Sequence, residues 1–312
     1  MLDTTVVEGC ARERAPGSDG SPRRASPSSW DAAEALAAEG YLVLRRLGSG
    51  GMGEVYEAET RAEGERLALK VLAARLKHRP ELAARMTDEA RALEQVHHPN
   101  VVGLRATGTL GDGRPFLAME LLHGRTLAVA AGAAAGEQSL RPCDVLRSVR
   151  ALLRALEAVH RAGLVHCDVK PSNVLLCDDG RVKLIDFGAV EWRTRGEPAR
   201  AVGGGRPVLG TPRYMAPERR AGAPPSVRSD LYGVGLVLAE LLESTARCAA
   251  QSLLAVARRA AAPSPAARFA SAHDMERALD AAEAAVCGSA RPAMADGPSR
   301  QHCRLEPERR SA

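Results

Sequence analysis

His166-Cys167-Asp168-Val169-Lys170-Pro171-Ser172-Asn173 and, one short hairpin later, Asp186-Phe187-Gly188 hold the densest run of polar and charged groups in the chain. Between them, the apolar runs Val174–Leu176 and Val182–Ile185 flank Asp178-Asp179-Gly180, a turn signal that predicts a β-hairpin. Folding that hairpin returns Asp186 to the neighbourhood of Asp168, Lys170 and Asn173. Two carboxylates, an amide and an ammonium then meet in one place. Oxygen donors of this kind suit Mg2+, a hard cation that keeps several waters and is shared with nucleotide phosphates. Polar residues that only cap a hairpin have no need of all four in this order.

Upstream, Gly48-Ser49-Gly50-Gly51-Met52-Gly53 fits the GxGxxG pattern common to several nucleotide-binding turns. A dinucleotide fold needs a helix next, to bring its N-terminus to the pyrophosphate, but Glu54–Glu59 is strand-like with no helical stripe. The turn is therefore expected to join two strands and to let backbone N–H groups approach phosphate oxygens. A plain glycine-rich surface hairpin has the same local pattern. Lys70 lies in Leu67-Ala68-Leu69-Lys70-Val71-Leu72, a strand with almost no other polar group, so burying its ammonium requires an anion. In the helix expected over Glu81–Val96, Glu89 falls on the same stripe as Leu82, Met86, Leu93 and Val96. The two misplaced charges predict a Lys70–Glu89 ion pair inside a small lobe, although a lone strand lysine can also reach water from a sheet edge.

Around these motifs the chain divides into a small β-rich part and a larger helical one. Strands are expected at Tyr41–Leu47, Glu54–Glu59, Leu67–Leu72, around Val101–Leu110 and at Phe116–Glu120, after a short Ala-rich helix at Asp31–Glu39. Val145, Val149, Leu152, Leu156 and Val159 mark an amphipathic helix that ends at Gly163, and Leu231–Leu242, apolar on all sides, reads as a helix buried at the centre of the helical part. Residues 1–29, rich in Ser, Pro, Gly and Arg, read as a disordered tail, and residues 288–312 as a polar one.

Composition limits the function classes. Of the 312 residues 45% are apolar but only 3% aromatic, so the core is built from Ala, Leu and Val, against an aromatic-rich β-sandwich. The net charge of +5 is spread along the chain, so nucleic-acid binding is not implied. The longest strongly apolar stretch is well short of the roughly 20 residues that span a bilayer. Seven cysteines without a CxxC pair suit a reducing compartment, and an N-terminus with Asp3 and Glu8 but no apolar core gives no secretory signal. A cytoplasmic location is expected.

At this point the sequence resembles the bacterial eukaryotic-like serine/threonine protein kinase family, from about Tyr41 to about Ala285. The resemblance rests on Leu47–Val55, Ala68-Leu69-Lys70, Glu89, Met119-Glu120, the two motifs quoted first, Gly210-Thr211-Pro212, Ala216-Pro217-Glu218, Asp230 and Arg268. It implies an α+β bilobal fold with a mainly β N-lobe (about 41–120) and a helical C-lobe (about 121–285). It also implies ATP and Mg2+ in the cleft and phosphoryl transfer to Ser or Thr of protein substrates. In the family's terms Asp168 accepts the hydroxyl proton and Lys170 steadies the transferring phosphoryl group. Asn173 and Asp186 hold Mg2+. Leu47, Gly48, Gly50, Gly53, Val55, Lys70, Glu89 and Glu120 make the ATP site, Lys70 at the α- and β-phosphates and Met119-Glu120 as gatekeeper and hinge. Glu218 and Arg268 form a structural ion pair, and Asp230 supports the catalytic loop. The alternative is a nucleotide-binding pseudokinase scaffold.

Two departures stand out. Cys167 occupies the place of an arginine that usually pairs with a phosphate on the activation loop. Between Glu243 and Arg268 the sequence has room for one helix, around Gln251–Ala260, so the region of helix G is shortened. From Ala189 to Gly210 the single hydroxyl is Thr194, so activity independent of loop phosphorylation is expected, with any activating partner left open.

Overall fold

The computed structural model describes residues 32–133, 140, 142–193, 210–244 and 251–289. The expected tail at 1–29, residues 290–312 of the tail expected at 288–312, and Thr194 lie outside the described residues.

Five strands form an antiparallel sheet: β1 (Tyr41–Ser49), β2 (Gly53–Thr60), β3 (Arg66–Leu72), β4 (Leu104–Thr109) and β5 (Pro115–Glu120), in the order β1-β2-β3-β5-β4. The glycine-rich turn joins β1 to β2 as the missing helical stripe required. Gly53 is obligatory there, because a Cβ would lie 2.2 Å from the Val71 carbonyl oxygen of the neighbouring strand. Helix α1 (Ala33–Ala38) buries Ala33 and Leu36 in the core that contains Tyr56, Leu69 and Phe116. Helix α1 thus packs on the small lobe ahead of β1. Helix α2 (Pro80–Gln95) starts on a proline, whose missing N–H costs nothing in a first turn, and buries Met86, Glu89 and Leu93.

The larger lobe begins with β6 (Gly124–Thr126) and α3 (Leu127–Gly132), which is capped by the Thr126 hydroxyl accepting from Val129 N. It continues through α4 (Pro142–Arg161), β7 (Leu164–Val165), β8 (Val174–Cys177), β9 (Val182–Leu184), β10 (Glu191–Trp192), α5 (Pro217–Arg220), α6 (Val227–Ser244), α7 (Gln251–Ala260) and α8 (Ala272–Ser289). The predicted hairpin is β8–β9, with β6 on its other edge. Helix α6 has Leu231, Val234, Val237, Leu238 and Leu241 fully enclosed, as a helix apolar on all faces must be. Gly233 brings α6 against the loop after β7, since a Cβ there would meet Val169 at 2.9 Å. Arg154 pairs with Glu276 at 2.7 Å and Arg150 with Asp280 at 2.8 Å, fastening α4 to α8. Six residues separate α6 from α7, and α7 is the helix expected between Glu243 and Arg268. Helix α8 runs to Ser289, so it extends past residue 285 and takes in the first two residues of the expected tail.

Candidate active site

Residues 166–173 follow β7 as a loop whose shape is set from below by one carboxylate. Asp230, in the first turn of α6 and 1% exposed, accepts the backbone N–H groups of His166 and Cys167 at 2.9 Å each and faces His160 Nε2 at 2.8 Å. Cys167 is thereby held at φ 68°, a left-handed conformation that a non-glycine residue adopts only under constraint. Burial alone would raise the Asp230 carboxyl; the His160 hydrogen bond and the neighbouring imidazoles more than offset it and hold the group below the usual carboxylate range. His166 accepts Asp168 N on Nδ1 at 3.3 Å and packs edge-on against Phe187, with ring centroids 5.0 Å apart. Its imidazole is fully buried, which lowers its pKa.

The loop and the hairpin deliver the expected groups to one place. Lys170 Nζ lies 2.9 Å from Asp168 Oδ2 and donates to Thr211 Oγ1 at 3.0 Å. Asp168 Oδ1 accepts Thr211 N at 2.8 Å. Asn173 Nδ2 donates to the Asp168 carbonyl at 2.9 Å and to Oδ2 at 3.2 Å. Asn173 Oδ1 is buried and has no hydrogen-bond partner among the described residues. Asp186, at φ 65°, sits just past the hairpin, and its Oδ1 accepts from Lys70 Nζ at 3.0 Å. Lys70 also donates to both Glu89 oxygens, at 2.7 and 2.8 Å, which is the buried pair anticipated from two misplaced charges. Burial works against the Lys70 charge, yet Asp186 and Glu89 outweigh it and hold the ammonium above its ordinary pKa.

A cleft opens beside Lys70, walled by Leu47, Val55, Ala68, Met119, Leu122 and Ile185. An apolar slot with carboxylates and an ammonium at its inner end suits a flat base carrying phosphates. Of the expected nucleotide residues, Leu47, Val55, Lys70, Glu89 and Glu120 line it, and Gly53 stands at the neighbouring cavity behind Lys70. Gly48 lies within β1, opposite Val55, and Gly50 follows at the turn, with its N–H on the Gly53 carbonyl at 2.8 Å. The Glu120 carboxylate is engaged by Lys183 Nζ at 2.5 Å and Gly103 N at 2.7 Å, so its contribution to a ligand would come from the main chain. The donor set also fits Mg2+: an unsatisfied buried amide oxygen on Asn173 and the Asp186 carboxylate are hard oxygen ligands.

The Glu218–Arg268 pair is present with two bonds of 2.7 Å. Two contacts had no sequence signal: Lys183 on Glu120, and Arg219 on Glu191 at 2.7 Å.

With this geometry in place, the family model described as protein kinase domain matches residues 41–273. The chain belongs to the protein kinase family. It is 38% identical over 221 residues to the serine/threonine-protein kinase PknL of Mycobacterium bovis, covering 70% of this chain and 52% of PknL. A probable serine/threonine-protein kinase of Streptomyces coelicolor is 38% identical over 199 residues, 63% of this chain and 29% of that protein. This kinase chain thus spans about half of the length of PknL and under a third of the Streptomyces relative. The crystal structure of the Mycobacterium tuberculosis PknI kinase domain superposes with a TM-score of 0.59 at 28% identity, over 78% of this chain and 96% of that one. No helix among the described residues is long and apolar enough to cross a membrane.

Proposed function

We propose that this kinase domain transfers the γ-phosphoryl group of ATP to serine or threonine hydroxyls of protein substrates in the cytoplasm. The observation that carries the reading is the contact set Asp168–Lys170–Thr211 beside an unsatisfied Asn173 oxygen. Asp168 takes the proton of the incoming hydroxyl and fixes its direction of attack. Lys170, tied to the same carboxylate, places positive charge where the transferring group gains negative charge. Lys70, held by Glu89, meets the α- and β-phosphates. The base lies in the slot between Leu47, Val55 and the main chain at Glu120, under the glycines at 48, 50 and 53. Asn173 and Asp186 would hold Mg2+, which when bound neutralises charge on the phosphates. The choice of serine or threonine as acceptor is supported by the likeness to serine/threonine-protein kinases and by the Lys170–Thr211 pattern, joined at 3.0 Å, that the resemblance associates with it. We place the folded domain at about residues 32–289, wider than 41–285 at both ends.

Purified protein incubated with γ-labelled ATP, Mg2+ and a mixed protein substrate tests this. Label on serine and threonine is expected. Nucleotide binding without any transfer would favour the scaffold alternative, and label on tyrosine would overturn the acceptor assignment.

A further inference from the structure

The chain leaving Asp186-Phe187-Gly188 is fastened by an ion pair that the transfer step itself does not use. Glu191 opens β10, where it lies opposite Val165 with Trp192 opposite Leu164, and β7 runs directly into His166. Arg219, in α5, donates Nη2 to Glu191 Oε1 and Nη1 to the Ala223 carbonyl, both at 2.7 Å. The Arg219 side chain is 9% exposed and that of Glu191 31%. Cys167 borders the same spot, sharing a small cavity with Tyr214, Arg219 and Ser229. Burial, with Asp230 and Glu191 adding to it, drives the Cys167 thiol far above its ordinary pKa, so position 167 presents no charge of either sign.

A phosphate orders an activation segment only where a cation receives it. Cys167 supplies none. The cation beside it, Arg219, is already neutralised by a resident carboxylate. A buried guanidinium also needs that partner: without Glu191 it keeps, among the described residues, only the Ala223 carbonyl. The pair joins the strand after Asp186-Phe187-Gly188 to the helix after Thr211, and through β7 to the loop that carries Asp168. We propose that Glu191 and Arg219 are positioning residues that hold the catalytic loop for transfer, in place of a phosphate read by an arginine at position 167. This inference rests on the kinase reading.

The test uses steady-state kinetics on the full chain. Glu191→Gln keeps the shape and removes the charge; because Glu191 is partly exposed, this variant is expected to fold. It should lower kcat by about tenfold or more, the scale set by misplacing a catalytic group, while KM for ATP stays unchanged. Combining Glu191→Arg with Arg219→Glu should recover most of the lost kcat. Phosphatase treatment and Thr194→Ala should leave kcat at the wild-type value. Wild-type kcat in Glu191→Gln would overturn the inference while leaving the kinase reading intact, and so would a large loss of kcat on phosphatase treatment. Absence of transfer by the wild-type protein would overturn the kinase reading and this inference together.

Discussion

On one side of the cleft Lys70 holds both Glu89 and Asp186, at 2.7 and 3.0 Å, whereas on the other Cys167 carries no charge and Arg219 is engaged by Glu191. In the proposed function the first cluster offers particular charges to phosphates, so both partners of each contact are dictated by chemistry. The second has only to hold a loop still, and any well-placed pair of opposite charges can do that. The comparison separates residues that must be one kind from residues that need only agree with each other.

The comparison breaks first at Lys70. Lys70→Met removes the cation from two carboxylates at once, and transfer should fall by about 10²-fold or more, seen as a loss of kcat/KM for ATP. A variant within a fewfold of wild type would mean that the first cluster tolerates rewiring as the second does. Asp230→Asn comes next. An amide cannot accept from His160, His166 N and Cys167 N together, so kcat should fall about tenfold and unfolding in denaturant should register a loss of about 3 kcal/mol. Unchanged stability would show that the left-handed Cys167 is held by something other than Asp230.

The smallest effect concerns pH. His166 is buried, and its folded pKa lies below the ordinary 6.5. As pH falls through 6.5 the unfolded chain takes up a proton that the folded chain refuses, so stability declines, by at most about 1.4 kcal/mol per pH unit for one group. His98, also lowered by burial, acts in the same direction. The difference between wild type and His166→Asn therefore isolates the His166 contribution, and melting curves from pH 7 to pH 5 should be flatter in the variant. Equal slopes would assign the pH dependence elsewhere.

Much of the Lys70 side of the cleft was legible in sequence because each element carried a local contradiction: a lysine in an apolar strand, a glutamate on an apolar helix stripe, a glycine-rich turn with no helix after it. Each contradiction had one simple resolution, and the structure adopts it at Lys70–Glu89 and at the β1–β2 turn. The Glu191–Arg219 pair contains no such contradiction. Arg219 lies in an Arg-Arg dipeptide and Glu191 in a polar stretch, so both read as ordinary surface residues until the fold buries one against the other. Glu120 and Lys183 escaped for the same reason, being brought together only when the β8–β9 hairpin meets the end of β5. The α1 helix was legible as a helix, but six residues with two small buried contacts gave no sign that it docks on the sheet. At the other end a polar tail was expected from residue 288, and α8 runs to Ser289.

In the proposed reaction Asp168 takes the hydroxyl proton in a site whose nucleotide contacts are made by other residues. Single-turnover transfer and ATP affinity, measured side by side for wild type and Asp168→Asn, test it most directly. ATP affinity should be unchanged and the transfer rate lower by about 10²-fold or more, the lower range for removing a positioned proton acceptor. Transfer at the wild-type rate in Asp168→Asn would contradict the account.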